Sequence, residues 1–218
     1  MEIKKIEIGE NLLVENEKIA KENSEILKGK NIVSVNLMGP PGSGKTKILE
    51  RTISMIKDEI PCGVIEGDIA GLYDSERLRP LNIPIVQINT GGACHLEALM
   101  VKKGLENLPL DEIRLLFIEN VGNLVCPAEF SLGVDKNVVV VSVTDGEDKP
   151  AKYPLMFKIS EVCILNKVDL LKNLEFDADL FEKNLLRTNE SIKLMKISSL
   201  TGENFSQWIN YIRKLVKF

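Results

Sequence analysis

The sequence lacks any apolar run approaching the ~20 residues that span a bilayer, and charge begins at Glu2, where a secretory leader would still be uncharged or basic. These absences predict a soluble, cytoplasmic protein with no membrane partner. A basic cluster is missing too: 28 Lys and Arg against 32 Asp and Glu leave a net charge of −4. Nucleic acid is therefore not expected as a partner, because affinity for a phosphate backbone comes from clustered cations. Cysteine is scarce. Four residues in 218 (Cys62, Cys94, Cys126 and Cys163) are too few for a disulfide framework in a chain this long, so reduced thiols are expected. Cys163 inside Val162-Cys-Ile-Leu165 and Cys62 at the head of Cys-Gly-Val-Ile65 fit small buried positions in apolar strands. Histidine is rarer still and occurs once, at His95.

What the chain does contain is Gly39-Pro-Pro-Gly-Ser-Gly-Lys-Thr46, which fits the phosphate-binding pattern G-x-x-x-x-G-K followed by Ser or Thr at every position. It follows the apolar run Asn31 to Met38 and precedes the helical pattern Lys47 to Ile56, so the strand and helix that such a loop needs flank it. Gly39, Gly42 and Gly44, with Pro41 and Ser43 between them, allow the backbone to wrap a phosphate chain with its N–H groups turned inward, and the next helix adds its positive end. Lys45 is expected to reach the β- and γ-phosphates. Thr46 is expected to place its hydroxyl on a Mg²⁺ bridging the same two groups.

Further apolar runs recur at Cys62 to Ile65, Ile83 to Ile88, Arg114 to Ile118, Val138 to Val143, Val162 to Leu165 and Ile192 to Ile197, mostly separated by helical patterns. That alternation predicts an α/β fold of the P-loop NTPase type: a mostly parallel central sheet flanked by helices on both faces, with ligands beyond the carboxyl ends of the strands. We expect one GTPase domain over residues 1–218, with 1–29 as a helical extension and 30–218 as the P-loop core. In the extension, Leu12, Leu13, Ile19, Ala20, Ile26 and Leu27 define the apolar face of an amphipathic helix that covers the sheet edge or a partner. Asp145 to Pro154 reads as an exposed loop. A last helix from Asn204 to Lys217 is expected to bury Phe205, Trp208, Ile209, Ile212 and Leu215.

Asn166-Lys167-Val168-Asp169 ends an apolar strand and resembles the N-K-x-D guanine-specificity motif of GTPases. The Asp169 carboxylate can accept from guanine N1–H and from the exocyclic amino group, a donor pair adenine lacks, so GTP and GDP are the expected nucleotides. Ile197-Ser-Ser-Leu-Thr-Gly202 resembles the base-contacting loop of the same proteins, with Ser198 and Ser199 as candidates. For Mg²⁺ we expect Asp68 as a direct or water-mediated ligand, with Asp74 as its rival; ordinary solvated loop charge is the plain alternative for both. Glu119-Asn-Val-Gly122 stands where GTPases carry D-x-x-G, one methylene longer at its first residue, and Gly122 can donate its N–H to the γ-phosphate. Lys45, Asp68, Asp74, Glu119 and Gly122 form the expected catalytic set.

Cys94 and His95 follow Thr90-Gly-Gly-Ala93, and Cys126 lies in Asn123-Leu-Val-Cys-Pro127. Thiolates with an imidazole suit Ni²⁺ or Zn²⁺, although adjacent residues diverge on a helix and three ligands leave a tetrahedral site one short. A buried thiol, a histidine at a helix start and a loop cysteine are the plain alternative.

Taken in order, Gly39 to Thr46, Glu66-Gly-Asp68, Gly91-Gly-Ala-Cys-His95, Glu119-Asn-Val-Gly-Asn123, Cys126-Pro127 and Asn166 to Asp169 resemble the HypB family of nickel-maturation GTPases over nearly the whole chain. The resemblance implies a SIMIBI-class GTPase that forms a GTP-dependent homodimer across its nucleotide faces and binds nickel or zinc through Cys94, His95 and Cys126. It implies a HypA-like maturation protein as partner and the large-subunit precursor of a nickel-iron hydrogenase as client. Lys152 would then contact the partner's nucleotide. No water-positioning glutamine stands nearby, so slow intrinsic hydrolysis is expected. Met1 to Lys30 holds neither closely spaced cysteines nor a histidine-rich stretch, so nickel storage is not expected. Two other readings share some of these features: a metal-binding dimerisation module that only senses guanine nucleotide, and a small-molecule kinase, which leaves Asn166 to Asp169 and the Cys-His pair unexplained.

Replacing Asp169 by Asn removes a charge-assisted acceptor from two donors, each bond being worth roughly 1.5–3 kcal/mol. In competition against a fluorescent GDP, Asp169→Asn should lose roughly ten- to hundredfold in GTP affinity with ATP affinity unchanged. Unaltered GTP affinity would remove Asp169 from base recognition.

Overall fold

A computed structural model describes residues 8–69 and 73–217, with side chains described over 12–69 and 76–217. The first half of the chain forms α1 (Ile8–Gly29), β1 (Val33–Met38), α2 (Lys45–Ile56), β2 (Cys62–Asp68), α3 (Tyr73–Leu78), β3 (Ile85–Asn89), α4 (Ala98–Glu106) and β4 (Leu115–Glu119). The second half adds β5 (Lys136–Ser142), α5 (Lys149–Lys152), α6 (Pro154–Lys158), β6 (Val162–Asn166), α7 (Ala178–Thr188), β7 (Lys193–Lys196) and α8 (Phe205–Val216). All seven strands are parallel, in the order β3-β2-β4-β1-β5-β6-β7. Among the described residues no helix is long and apolar enough to cross a membrane.

The strands read as continuous apolar runs because both faces of the sheet are covered. On one face α2 and α8 pack Ile48, Leu49, Ile53, Trp208, Ile209 and Ile212 onto Val35, Leu37, Phe117, Val138 and Ile164. The other face is shared. Leu27 of α1 and Val101 and Leu105 of α4 cover Ile65, Leu116 and Ile118, while Met156, Phe157, Phe181 and Leu185 cover Val139, Val141, Cys163 and Leu165. Cys62 and Cys163 are buried as expected, and burial alone raises both thiols, Cys62 to about 12. β1 lies between β4 and β5, the point where successive connections leave in opposite directions, and its carboxyl end runs straight into the glycine-rich loop. Leu37 pairs with Glu119, and Glu119 with Glu66, so three strand ends finish level beneath that loop.

Two expectations fail locally. The buried stripe of α1 is Asn16, Ala20, Asn23 and Leu27, whereas Leu12 and Leu13 face solvent. Ala20 and Leu27 are buried as expected, and Asn16 and Asn23, which bond backbone groups of other segments, complete the stripe. Asp145 to Pro154 is also more ordered than an exposed loop: Pro150 sits at the first turn of α5, where its missing N–H costs nothing, and is buried. In α8, Leu215 is only half-buried at the rim of the core.

Trp208 is fully buried and its indole N–H donates to Thr52 Oγ1 at 2.8 Å, locking α8 to α2. Trp208→Ala should cost about 3–5 kcal/mol in chemical denaturation, from the lost burial and the void left behind. A loss below about 1 kcal/mol would show that α8 is not integral to the core.

Candidate functional site

The loop after β1 is shaped by glycine. Gly39, Gly42 and Gly44 have φ of 141°, 76° and 99°, a region side chains rarely adopt. A Cβ at Gly39 would strike the carbonyl oxygen of Val140, and one at Gly44 would strike Nδ2 of Asn166. No side chain caps α2, so the positive end of that helix opens toward the loop. Lys45 curls back, its Nζ donating to the carbonyls of Gly39 (3.1 Å) and Pro40 (3.2 Å). Thr46 Oγ1 donates to Glu119 Oε1 at 2.8 Å.

These groups border a cleft of about 430 Å³ that also receives Glu66, Asp68, Arg77 and the segment from Glu119 to Gly122. Oxygen donors of Thr46, Asp68 and Glu119 line it, a hard donor set that fits Mg²⁺. Asp68 closes β2 and accepts from the Ile69 N–H at 2.6 Å. Asp74 lies in α3, and its side chain is outside the described residues. Glu66, 1% exposed and level with Glu119 on the neighbouring strand, was missed by the sequence reading of the cleft. The signal available was a carboxylate directly after the apolar run Cys62 to Ile65, inside the strand that Asp68 closes.

Asn166 is wholly buried and joins two loops. Its Nδ2 donates to the Ser43 carbonyl (2.8 Å) and to Ser199 Oγ (3.1 Å), and its Oδ1 accepts from the Ser199 N–H (3.0 Å). Ser198 and Ser199 are buried as well: Ser198 Oγ accepts from the Thr201 N–H at 3.0 Å, so both hydroxyls shape the loop. Arg51 of α2 holds the loop from outside, Nη1 donating to the carbonyls of Ser199 (3.4 Å) and Leu200 (3.2 Å). After a left-handed turn at Lys167 (φ 63°), Oδ1 of Asp169 is buried with no hydrogen-bond partner. A buried acceptor left open in this way fits a ligand that brings its own donors.

Cys94, His95 and Cys126 come together, with their ligand atoms all within 4.8 Å of one another. The two Sγ atoms are 3.0 Å apart, and His95 Nδ1 is 3.7 Å from Cys94 Sγ. Cys94 and His95 stand in the loop between β3 and α4, not on a helix, which is why adjacent side chains converge instead of diverging. His95 stacks on Phe130 with ring centroids 4.1 Å apart. Burial lowers its pKa against the opposing carboxylates of Glu97 and Glu129, which favours the neutral imidazole that ligates metals. The hydrogen bond with Cys94, then burial, raises the Cys126 thiol. Two sulfurs and one imidazole nitrogen fit Ni²⁺ or Zn²⁺, with one tetrahedral position left over.

The strand end at Glu119 leads into the segment that connects both clusters. The Asn123 N–H donates to the Gly39 carbonyl (3.0 Å), and its Nδ2 donates to the Cys94 carbonyl (3.4 Å). Asn120 Oδ1 accepts from the Leu96 N–H at 3.0 Å, and the Asn120 N–H donates to the Leu37 carbonyl at 3.0 Å. No role was read for either asparagine from sequence. Lys152 is exposed and paired with Asp148 of its own chain.

A parallel sheet carrying a glycine-rich phosphate loop at the end of its central strand defines a P-loop nucleotide-binding protein. Residues 33–196 match the family described as CobW/HypB/UreG, nucleotide-binding domain. The chain is 44% identical over 207 residues to the hydrogenase maturation factor HypB of Escherichia coli, covering 95% of this chain and 71% of that protein. Crystal structures of HypB from Archaeoglobus fulgidus and, in complex with nickel, from Helicobacter pylori superpose with TM-scores of 0.88 and 0.88 at 38% and 33% identity. They cover 93% and 93% of this chain and 99% and 95% of theirs. The chain therefore belongs to the HypB hydrogenase maturation factors within that family.

Gly122 lies so close to the phosphate loop that a Cβ there would come within 2.9 Å of the Pro41 backbone. Gly122→Ala should push the connecting segment off the loop and weaken nucleotide binding about tenfold, ~1.4 kcal/mol, in a titration with fluorescent GTP analogue. Wild-type affinity would show that this close approach is not needed for binding.

Proposed function

We propose that this protein is a GTP-binding nickel chaperone that hydrolyses GTP slowly and uses the nucleotide cycle to control nickel delivery during hydrogenase maturation. The observation that carries the reading is the segment from Glu119 to Cys126. It begins at the phosphate cleft, is bonded to Gly39 through Asn123, and ends at a thiol 3.0 Å from Cys94. Membership of the HypB factors and the nickel complex of the Helicobacter pylori relative support it.

In the proposed cycle Lys45 leaves the Gly39 and Pro40 carbonyls to neutralise the β- and γ-phosphates, and the α2 N-terminus and loop N–H groups hold the remaining charge. Thr46, Asp68 and Glu119 would hold Mg²⁺, which screens the charge between those phosphates. Gly122 donates to the γ-phosphate and its N–H loses that acceptor on hydrolysis. Asp169 reads guanine, while Asn166 and the Ser198–Ser199 loop keep the base pocket in register with the phosphate loop. Cys94, His95 and Cys126 take Ni²⁺ or Zn²⁺ as cargo. The reading extends to a GTP-dependent homodimer that supplies or remodels the fourth ligand position, a HypA-like partner, a hydrogenase large-subunit precursor as client, and the cytoplasm as location.

Linkage makes the test reciprocal: if GTP alters metal affinity, metal alters GTP affinity by the same factor, typically about 5- to 150-fold. Ni²⁺ and Zn²⁺ should be titrated into the GDP-bound and non-hydrolysable-analogue-bound forms, with Cys126→Ala as control. A change of that size in at least one metal is expected. Equal affinities for both metals in both states would overturn nucleotide control of delivery.

A further inference from the structure

Helix α1 turns amides toward the core where apolar side chains were expected. Asn16 and Asn23 are seven residues apart, two turns along one face, and are 6% and 0% exposed. Burying an amide costs free energy unless its polar atoms are satisfied, so such residues mark what they bond to. Asn16 Oδ1 accepts from the Ala98 N–H at 2.8 Å, and its Nδ2 donates to the Ser131 carbonyl at 2.8 Å. Asn23 Nδ2 donates to the carbonyls of Ala98 (2.9 Å) and Leu132 (3.2 Å). Both side chains therefore bridge the same two stretches of backbone.

Those stretches carry the two halves of the metal cluster. Ala98 follows His95 by three residues and opens α4, whose N-cap Glu97 gives no side-chain capping bond, so Asn16 supplies from another helix a partner that Glu97 does not provide. Ser131 and Leu132 follow Cys126 by five and six residues and come directly after Phe130, the ring stacked on His95. Apolar packing of α1 does not need the amides, because Ala20 and Leu27 on the same stripe already bury against the core. What the amides add is a defined separation between the two loops, beside the thiol contact, the ring stack and the Asn120 and Asn123 bonds to the Cys94 loop described above.

We propose that Asn16 and Asn23 are positioning residues for the metal cluster, and that α1 is the brace that sets how closely the Cys94–His95 loop and the Cys126–Phe130 loop converge on one ion. This rests on the reading of Cys94, His95 and Cys126 as a transition-metal site. Groups that orient ligands without touching the metal typically change affinity 10- to 100-fold when removed.

The test uses the full chain. Ni²⁺ is titrated by its thiolate charge-transfer absorption, and fluorescent GDP binding is measured in parallel, for wild type, Asn16→Ala, Asn23→Ala, Leu27→Ala and Cys126→Ala. Asn16→Ala and Asn23→Ala should each weaken Ni²⁺ about tenfold and shift the absorption band, with GDP affinity unchanged. Leu27→Ala, which loosens α1 but removes no side-chain hydrogen bond to either loop, should lower the melting temperature and leave Ni²⁺ affinity and the band as in wild type. If Leu27→Ala weakens Ni²⁺ as much as the asparagine variants, general loosening is the cause and the positioning role falls. Wild-type affinity and spectrum in whichever asparagine variants fold would also overturn it. A wild type that binds no Ni²⁺, or a Cys126→Ala that binds it equally, would reject the metal site itself and the inference with it.

Discussion

One carbonyl oxygen holds the arrangement together. That of Gly39 accepts from Lys45 Nζ at 3.1 Å and from the Asn123 N–H at 3.0 Å, so the lysine of the glycine-rich loop and the segment leading to Cys126 share an acceptor. The glycine beneath it is pressed against β5 so tightly that no Cβ fits. Because the anchor point cannot retreat into the sheet, a change in what Lys45 binds is met by the segment opposite. On the proposed function, phosphate chemistry reaches the metal cluster through this short path and needs no large domain motion.

Asparagine does most of the connecting. Asn166 ties the phosphate loop to the Ser198–Ser199 loop, Asn120 and Asn123 tie the strand β4 exit to the Cys94 loop, and Asn16 and Asn23 tie α1 to the segments that follow His95 and Cys126. The physical reason is the same at each place. An amide is short, neutral, and both donor and acceptor, so it can cross-link backbone groups inside a core without the desolvation cost of a charge. Carboxylates are kept for the cleft, where Glu66, Asp68 and Glu119 line the wall near Lys45 and Thr46.

Three local features separated what pattern reading reached from what it did not. The Cys-His pair looked divergent because a helix was assumed beneath it; a loop places both side chains on one side. Hydropathy chose Leu12 and Leu13 as the inner face of α1, but hydropathy scores transfer of a side chain alone and is blind to an amide that satisfies another segment's N–H and C=O. Glu66 stands in the Glu66-Gly-Asp68 motif without a role of its own, because its neighbourhood is made by Glu119 on an adjacent strand, 53 positions away in sequence.

By itself the sequence determined the parallel α/β fold, the place of the phosphate loop, the presence of a guanine-type motif and which soft side chains are available to a metal. Each of these is written in contiguous residues or in a local period, where backbone geometry and side-chain chemistry act over a few positions. Only the tertiary structure decided that Cys126 meets Cys94, that Asn123 spans the two clusters, and that α1 presents amides inward. Those outcomes depend on the order β3-β2-β4-β1-β5-β6-β7, which brings chain segments dozens of residues apart to one end of the sheet. A hydrogen bond between such segments leaves no period and no spacing to read, because its partners become neighbours only once the strands have paired.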